Sequence, residues 1–290
     1  MAGTLYLCAT PIGNLEDMTF RAVRILKEAD LIAAEDTRNS MRLLNHFDIH
    51  TPMTSYHANN RIEKARVLVD RLLEGKSVVL ITDAGTPGIS DPGEDLVRMA
   101  AEAGITVTPV PGACACISGL ITSGLPTRRF CFEAFLPREK KELQKVLEEL
   151  KTETRTIVIY EAPHRLVRTL ETLEKALGDR RVTLCRELTK KHETILRTTL
   201  REALRYYSGE EPRGEFVIVI EGRSGEDLLR EQQQRWEEMT LPQHMDLYLQ
   251  QGLDRREAMK MVARDRGIGK RDVYSLLLEE EEGKDGENGG

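Results

Sequence analysis

Long hydrophobic runs are missing from this sequence. No stretch reaches the roughly 18 consecutive apolar residues of a membrane-spanning helix, so no membrane partner is expected. Aromatic residues are scarce, 5% with one tryptophan. Even so, 40% of the chain is hydrophobic, which suffices for a real core and excludes a wholly disordered polymer. The five cysteines (Cys8, Cys114, Cys116, Cys131, Cys185) are scattered, and the close pair lies two apart rather than at a Cys-x-x-Cys spacing. Reduced thiols are therefore expected, not a disulfide framework. The six histidines lack metal-ligand spacing, and no metal is expected. The N-terminus lacks the basic segment and cleavage site of a secretory signal, so the expected compartment is the cytoplasm. Charge of one sign is also weakly represented. The net of −6 is concentrated in residues 279–290, where six acids face Lys284 alone, so the rest is near neutral and local patches must decide the partners.

What is present is a regular rhythm over 290 residues, a length suited to about two domains. Strands are expected at 5–9, 31–34, 78–81 and 107–110. A helix opens at Thr19, with Phe20, Val23, Leu26 and Lys27 on one face, and others span 38–47, 61–74 (ended by Gly75) and 94–103 (closed by Gly104). Such alternation means parallel βαβ units. After Leu125-Pro126 the texture changes. Strands are expected at 130–135, 156–160, 182–187, 194–197 and 216–221, with helices at 139–150 and 166–177. Adjacent strands, including a hairpin, predict a mixed sheet here. The expected domains are therefore 1–125 and 126–222, both α/β, then a helical module at 223–278. A linker at 222–225 and a Gln-rich turn at 232–234 open that module, and an acidic disordered tail at 279–290 follows it.

Function in a parallel sheet gathers in the loops beyond the strands' carboxyl ends. Three such loops stand out: Ala9-Thr-Pro-Ile-Gly-Asn14, Asp83-Ala-Gly-Thr-Pro-Gly-Ile-Ser-Asp-Pro-Gly93 and Pro111-Gly-Ala-Cys-Ala115. The second packs three glycines and two prolines into eleven residues. It is neither a P-loop nor a Gly-x-Gly-x-x-Gly fingerprint. It holds no Lys or Arg, which disfavours a polyphosphate ligand. Backbone groups with acidic side chains nearby suit a neutral or cationic molecule, and S-adenosylmethionine has that chemistry.

The runs Pro11-Ile-Gly-Asn-Leu15, Glu35-Asp-Thr-Arg38, Asp83 to Gly93, Ser123-Gly-Leu-Pro126, Phe135-Leu-Pro137, Tyr160-Glu-Ala-Pro-His-Arg-Leu166 and Arg186-Glu-Leu-Thr-Lys190 carry a family resemblance. Together they resemble the ribosomal RNA small subunit methyltransferase I family of the tetrapyrrole methylase-like superfamily. The resemblance implies a two-lobed class III α/β methyltransferase with S-adenosylmethionine in the cleft between lobes, and a homodimer. It implies methylation of a cytidine ribose 2′-hydroxyl in the decoding centre of 16S ribosomal RNA, within the small ribosomal subunit. Carried over residue by residue, the cofactor contacts are Pro11, Asp83, Ala84, Gly85, Ile89, Cys114 and Ala115, with Ala162, Gly214 and Glu215 from the second lobe. Many relatives hold a hydroxyl residue where Cys114 stands, and a thiol is a weaker hydrogen-bond partner.

Methyl transfer gains much from alignment alone, and a positioned base adds about 10²–10⁴-fold. The candidate catalytic residues are Glu35, Arg38, Glu161 and His164, with the base unassigned; Asp36 is as readily an N-cap as a site residue. Arg165, Arg186 and Lys190 are candidate RNA-phosphate contacts. The C-terminal module reads as helices at 243–251, 255–266 and 270–278, a helix-turn-helix-like arrangement. Residues 255–271 hold seven bases against Glu257 and Asp265, so Arg255, Arg264, Lys270 and Arg271 are expected to contact RNA. Two rivals stay open: a same-fold methylase of a tetrapyrrole or modified protein residue, and a catalytically silent RNA-binding assembly factor.

Overall fold

The computed structural model describes residues 1–209, 211–228, 230, 236 and 239–287, with side chains up to Leu278. The expected turn at 232–234 lies outside the described residues. Contacts divide the chain into two units, Met1–Gly222 and Arg223–Gly290.

The first unit holds two five-stranded sheets. Strands β1 (Thr4–Cys8), β2 (Leu31–Ala34), β3 (Met53–Ser55), β4 (Val78–Ile81) and β5 (Thr106–Val110) form the first, in the order β3-β2-β4-β1-β5. Every pairing is parallel, with Leu5 opposite both Val78 and Val107. β4 is buried throughout, as its continuous apolar run requires. Its residues alternate between two cores, Val78 and Leu80 on one face and Val79 and Ile81 on the other. The three-residue edge strand β3 went unrecognised in the sequence, because so short a run has no periodicity to read.

Helices α1 (Phe20–Glu28), α2 (Thr37–His46), α3 (Arg61–Leu73) and α4 (Glu94–Glu102) complete this half. Thr19 caps α1 by accepting the Ala22 N–H at 3.1 Å. The buried face of α1 is Ala22, Ile25 and Leu26, whereas Phe20 is 98% exposed, contrary to expectation. At about 100° per residue, Ala22, Ile25 and Leu26 form one stripe on the side of the helix opposite Phe20.

The second sheet comprises β6 (Phe130–Phe135), β7 (Thr156–Glu161), β8 (Arg181–Arg186), β9 (Thr194–Thr199) and β10 (Phe216–Ile220), in the order β6-β7-β10-β8-β9. β6 runs parallel to β7 and the other pairings are antiparallel, giving the expected mixed sheet with a β8–β9 hairpin. Helices α6 (Lys140–Lys151), α7 (Pro163–Leu177) and α8 (Leu200–Tyr207) pack into the core on one face. The other face takes α5 (Ala115–Thr122), whose Cys116 and Leu120 pack with Val158, Cys185 and Val217. Thus α5 precedes the boundary expected at residue 125 yet belongs to the second sheet's core. Gly119 permits this approach, since a Cβ there would lie 2.7 Å from Val217 Cγ1.

The second unit contains α9 (Leu241–Gln250), α10 (Arg255–Arg266) and α11 (Lys270–Glu287). Leu241, Met245, Ala258, Val262, Val273 and Leu277 form its core. Gly267 ends α10 in the left-handed conformation (φ 66°). α11 runs past the stop expected at Leu278 to Glu287, because the glutamates that follow are good helix formers. Among the described residues no helix is long and apolar enough to cross a membrane.

Candidate active site

A cavity of ≈ 380 Å³ opens where the carboxyl ends of the first sheet face α5 and the second sheet, within the ~300–1,000 Å³ usual for small-molecule sites. The glycine loop after β4 forms one wall. Gly85 pairs with Thr10 from the loop after β1, N–H to O in both directions at 2.9 and 3.1 Å. Its φ is +86°, and a Cβ would come 3.2 Å from Ile12 Cγ2. Both facts demand glycine. Thr86 Oγ1 donates to the Ala113 carbonyl at 3.0 Å, tying this loop to the one before α5.

The β2 tip supplies acids. Asp36 is the N-cap of α2, accepting the Arg38 N–H at 2.8 Å, and it also pairs with the Arg38 guanidinium. Arg38 is therefore an exposed cap partner outside the cavity lining. Asp83 accepts the Asp36 N–H (3.2 Å) and the Asn39 side-chain amide (3.1 Å), which locks the glycine loop onto α2. Glu35 lines the cavity beside Asp83 and Asp91. Burial, then the charges of Asp91 and Asp83, lift its carboxyl above the ordinary carboxylate range. Burial and Asp83 lift Asp91 likewise.

On the second lobe, Tyr160 accepts the Cys116 N–H at 2.8 Å and so satisfies the start of α5. Burial pushes the Tyr160 hydroxyl well above its ordinary value, keeping it protonated. Cys114, the N-cap of α5, makes no side-chain cap bond, consistent with a thiol's poor acceptor strength. Glu161 lines the cavity but is 1% exposed and fully engaged. Its oxygens accept the Ala162 N–H (2.9 Å) and the Thr169 hydroxyl (2.6 Å), and Arg165 lies 3.5 Å away. The candidate base Glu161 and the candidate RNA contact Arg165 are thus each other's partners. Arg165 also donates to the Leu136 carbonyl. His164 lies in the first turn of α7, which begins at Pro163 rather than at the expected 166, so it faces solvent and not the cavity.

The β8–β9 connection closes the wall. Lys190 Nζ donates to Glu187 Oε1 (2.9 Å) and Glu215 Oε2 (3.0 Å). Despite burial, these carboxylates raise Lys190 above its ordinary value. Burial opposes ionisation of Glu187, but Lys190 and the Glu215 N–H outweigh it and hold its carboxyl low. Glu187 and Thr189 both take left-handed φ, 54° and 68°, a costly backbone that clusters at functional sites. Gly214 (φ 83°) sits beside the cavity lining, where a Cβ would lie 2.4 Å from Glu187 Cγ. Arg186 lies outside the lining, with Nε buried and unpartnered among the described residues.

Of the expected cofactor contacts, Asp83, Ala84, Gly85, Ile89, Cys114, Ala115, Ala162 and Glu215 line the cavity, while Ile12 takes the place expected of Pro11. Among the lining residues not expected from the sequence are Asp91, Tyr160, Cys185, Leu188, Phe216 and Val217. Asp91 and Tyr160 stand inside runs already singled out and were recoverable. The other four are apolar residues of strands β8 and β10 or their ends and carry no local signal. All five cysteines are free, and burial pushes Cys8 to about 12 and Cys116 and Cys131 to about 11. Among the described residues no cluster of His, Cys, Asp and Glu could hold a metal ion.

The model of the tetrapyrrole (corrin/porphyrin) methylases matches residues 4–204. "Ribosomal RNA small subunit methyltransferase I" of Halalkalibacterium halodurans is 51% identical over 278 residues, covering 96% of each chain. Its namesake in Bacillus subtilis is 46% identical over 94% of this chain and 93% of its own. Among solved structures, diphthine synthase superposes with a TM-score of 0.60 at 16% identity, covering 77% of this chain and 91% of its own. Uroporphyrin-III C-methyltransferase from Thermus thermophilus, complexed with S-adenosyl homocysteine, gives 0.52 at 22%, covering 75% and 97%. At such identities these two likenesses concern the fold. With a family model covering most of the first unit and relatives matching nearly end to end, the chain belongs to the tetrapyrrole methylases and, within them, to the ribosomal RNA small subunit methyltransferase I family.

Proposed function

We propose that the chain methylates the ribose 2′-hydroxyl of a cytidine in 16S ribosomal RNA, using S-adenosylmethionine, in the cytoplasm and as a homodimer. The observation that carries the cofactor is the charge of the cavity: six carboxylates line it against one ammonium, Lys190. Glu161, Glu187 and Glu215 are occupied by Arg165 and Lys190, leaving Glu35, Asp83 and Asp91 without an ion pair among the described residues. Such a lining repels phosphate and suits a ligand that is cationic and phosphate-free. The cradle at Gly85, which a Cβ would fill, admits that ligand against bare backbone. Asp83, Ala84, Gly85, Ile89, Cys114, Ala115 and Ala162 would hold it.

When bound, S-adenosylmethionine supplies an electrophilic methyl group on a sulfonium. The chain's own task is then to orient the acceptor hydroxyl, exclude water and take up a proton. Glu35 is the carboxylate best matched to that last role, because burial and its acidic neighbours raise its proton affinity. Lys190, bonded to Glu187 and Glu215, holds this wall of the cavity together. The names of the relatives support ribosomal RNA as the acceptor.

The test is nucleoside mass spectrometry of 16S ribosomal RNA and of small subunits from a deletion strain, incubated with the protein and labelled S-adenosylmethionine. Labelled 2′-O-methylcytidine is expected. Label on a base, or none on either substrate, would refute the reading.

A further inference from the structure

The second unit presents cations that the cavity does not use. On α10, Arg256, Lys260 and Arg264 recur every four residues and share one exposed face, about 6 Å apart along the axis. Three residues later α11 begins with Lys270 and Arg271, both exposed. None of the five takes part in an ion pair among the described residues. Three other charges nearby are engaged within the unit. Arg266 turns inward to donate to His244 Nδ1 at 3.2 Å, and Asp265 pairs with the Tyr248 hydroxyl, so one charge of each sign leaves the surface. Asp272 caps the turn by accepting the Gly269 N–H at 3.0 Å.

One aromatic ring stands among these cations. Tyr274 lies one helical turn beyond Lys270 and Arg271 and is 53% exposed, while its neighbours Val273 and Leu277 face the core. Its ring is not among the side chains that form this core. Flanked by two cations, it has the makings of a stacking platform: cations for phosphates, and a π-face for a base that is not paired.

We propose that Arg256, Lys260 and Arg264 of α10, with Lys270, Arg271 and Tyr274 of α11, form an RNA-binding surface that grips phosphates and stacks one unpaired base on Tyr274. The proposal rests on the reading of the chain as an RNA-modifying enzyme. It adds that this unit prefers looped over fully paired RNA, and that the preference comes from one side chain. The cations contact the backbone and carry no preference of their own.

The test uses the full-length protein with two fluorescent RNAs, a hairpin with an unpaired loop and a blunt duplex of equal length, titrated at several salt concentrations. R264E/K270E/R271E is expected to weaken both RNAs on the order of tenfold or more and to lower the log–log salt slope by about two, at 0.7–0.9 per lost contact. Tyr274→Ala should weaken the hairpin on the order of tenfold, leaving the duplex and the salt slope unchanged, and Tyr274→Phe should restore binding. Circular dichroism and S-adenosylhomocysteine titration accompany each variant. If the reversed triple loses helicity, R264Q/K270Q/R271Q is read instead, with a smaller drop expected. An unchanged slope in the charge variants, or equal loss of hairpin and duplex in Tyr274→Ala, overturns the proposal. Should RNA bind as described while no methyl is transferred, the proposed activity fails and this surface stands.

Discussion

Replacing Gly119 with alanine probes the joint that brings the two sheets together. An added Cβ would lie 2.7 Å from Val217 Cγ1 and 3.1 Å from Val217 Cβ. Carbon atoms rest about 3.5–4.0 Å apart, so something must move by about 1 Å. Val217 cannot yield. It is β-branched, 5% exposed, and hydrogen-bonded within the sheet between Tyr160 and Cys185. The helix must lift instead. Alanine is the better helix former by about 1 kcal/mol, whereas overpacking a core costs about 1–3 kcal/mol. A shift of about 1 Å against a side chain that cannot yield puts the steric cost at the upper end of that range, for a net loss of about 2 kcal/mol, or about 4–8 °C in Tm. Lifting α5 also withdraws Cys114 and Ala115 from the cavity, so S-adenosylhomocysteine binding should weaken about tenfold, near 1.4 kcal/mol. Scanning calorimetry and ligand titration read the two effects. Gly209→Ala, where the methyl would meet nothing within 4 Å, is the control. A Gly119→Ala protein with unchanged Tm and unchanged ligand affinity would refute the argument.

Three further outcomes follow from the site and the helical unit. Gly85→Val should abolish S-adenosylhomocysteine binding in a folded protein, since φ +86° and Ile12 both oppose a side chain there; normal affinity by calorimetry would place the cofactor elsewhere. Glu161→Gln should lower stability by about 2–3 kcal/mol, below the ~3–5 of a fully buried pair because Arg165 keeps some exposure, with little effect on ligand affinity. A strong affinity loss without destabilisation would return Glu161 to the binding machinery. His244 is fully buried between Trp236 and Tyr248, and burial, then the Arg266 charge, hold its imidazole below the ordinary 6.5 against the pull of Asp265. The native state therefore favours the neutral ring, so its stabilisation is complete above pH 6.5 and is lost as pH falls below it. Fluorescence of Trp236, the sole tryptophan, should show a lower urea midpoint for this unit at pH 5.5 than at 7.5, and His244→Phe should flatten the difference.

The linear order of residues determined a good deal. Alternating apolar runs and capped helices marked the parallel sheet, and the glycines that end α3 and α4 sit at positive φ, where a residue without Cβ is required. The Asp83 to Gly93 loop and the Tyr160 to Leu166 run pointed to the cavity because their demands are local: backbone shape, and side chains at a strand tip. The expected β8–β9 hairpin and the basic stretch on α10 were legible for the same reason. Other features depended on what lies across a gap in sequence. Helix α5 escaped notice because it is apolar on most sides and carries a glycine, and that glycine makes sense only beside Val217. His164 and Arg38 looked as available for chemistry as Glu35. Helix α7 began one turn early and turned His164 to solvent, and Asp36 claimed Arg38. Glu161 and Arg165, expected to serve base and substrate, neutralise each other, while Lys190 and Glu187 join the wall through Glu215, far along the chain. A residue type and its spacing state which interactions are possible. Which of them forms depends on the partner that packing brings within 3 Å, and that partner is chosen by the burial of both sheets.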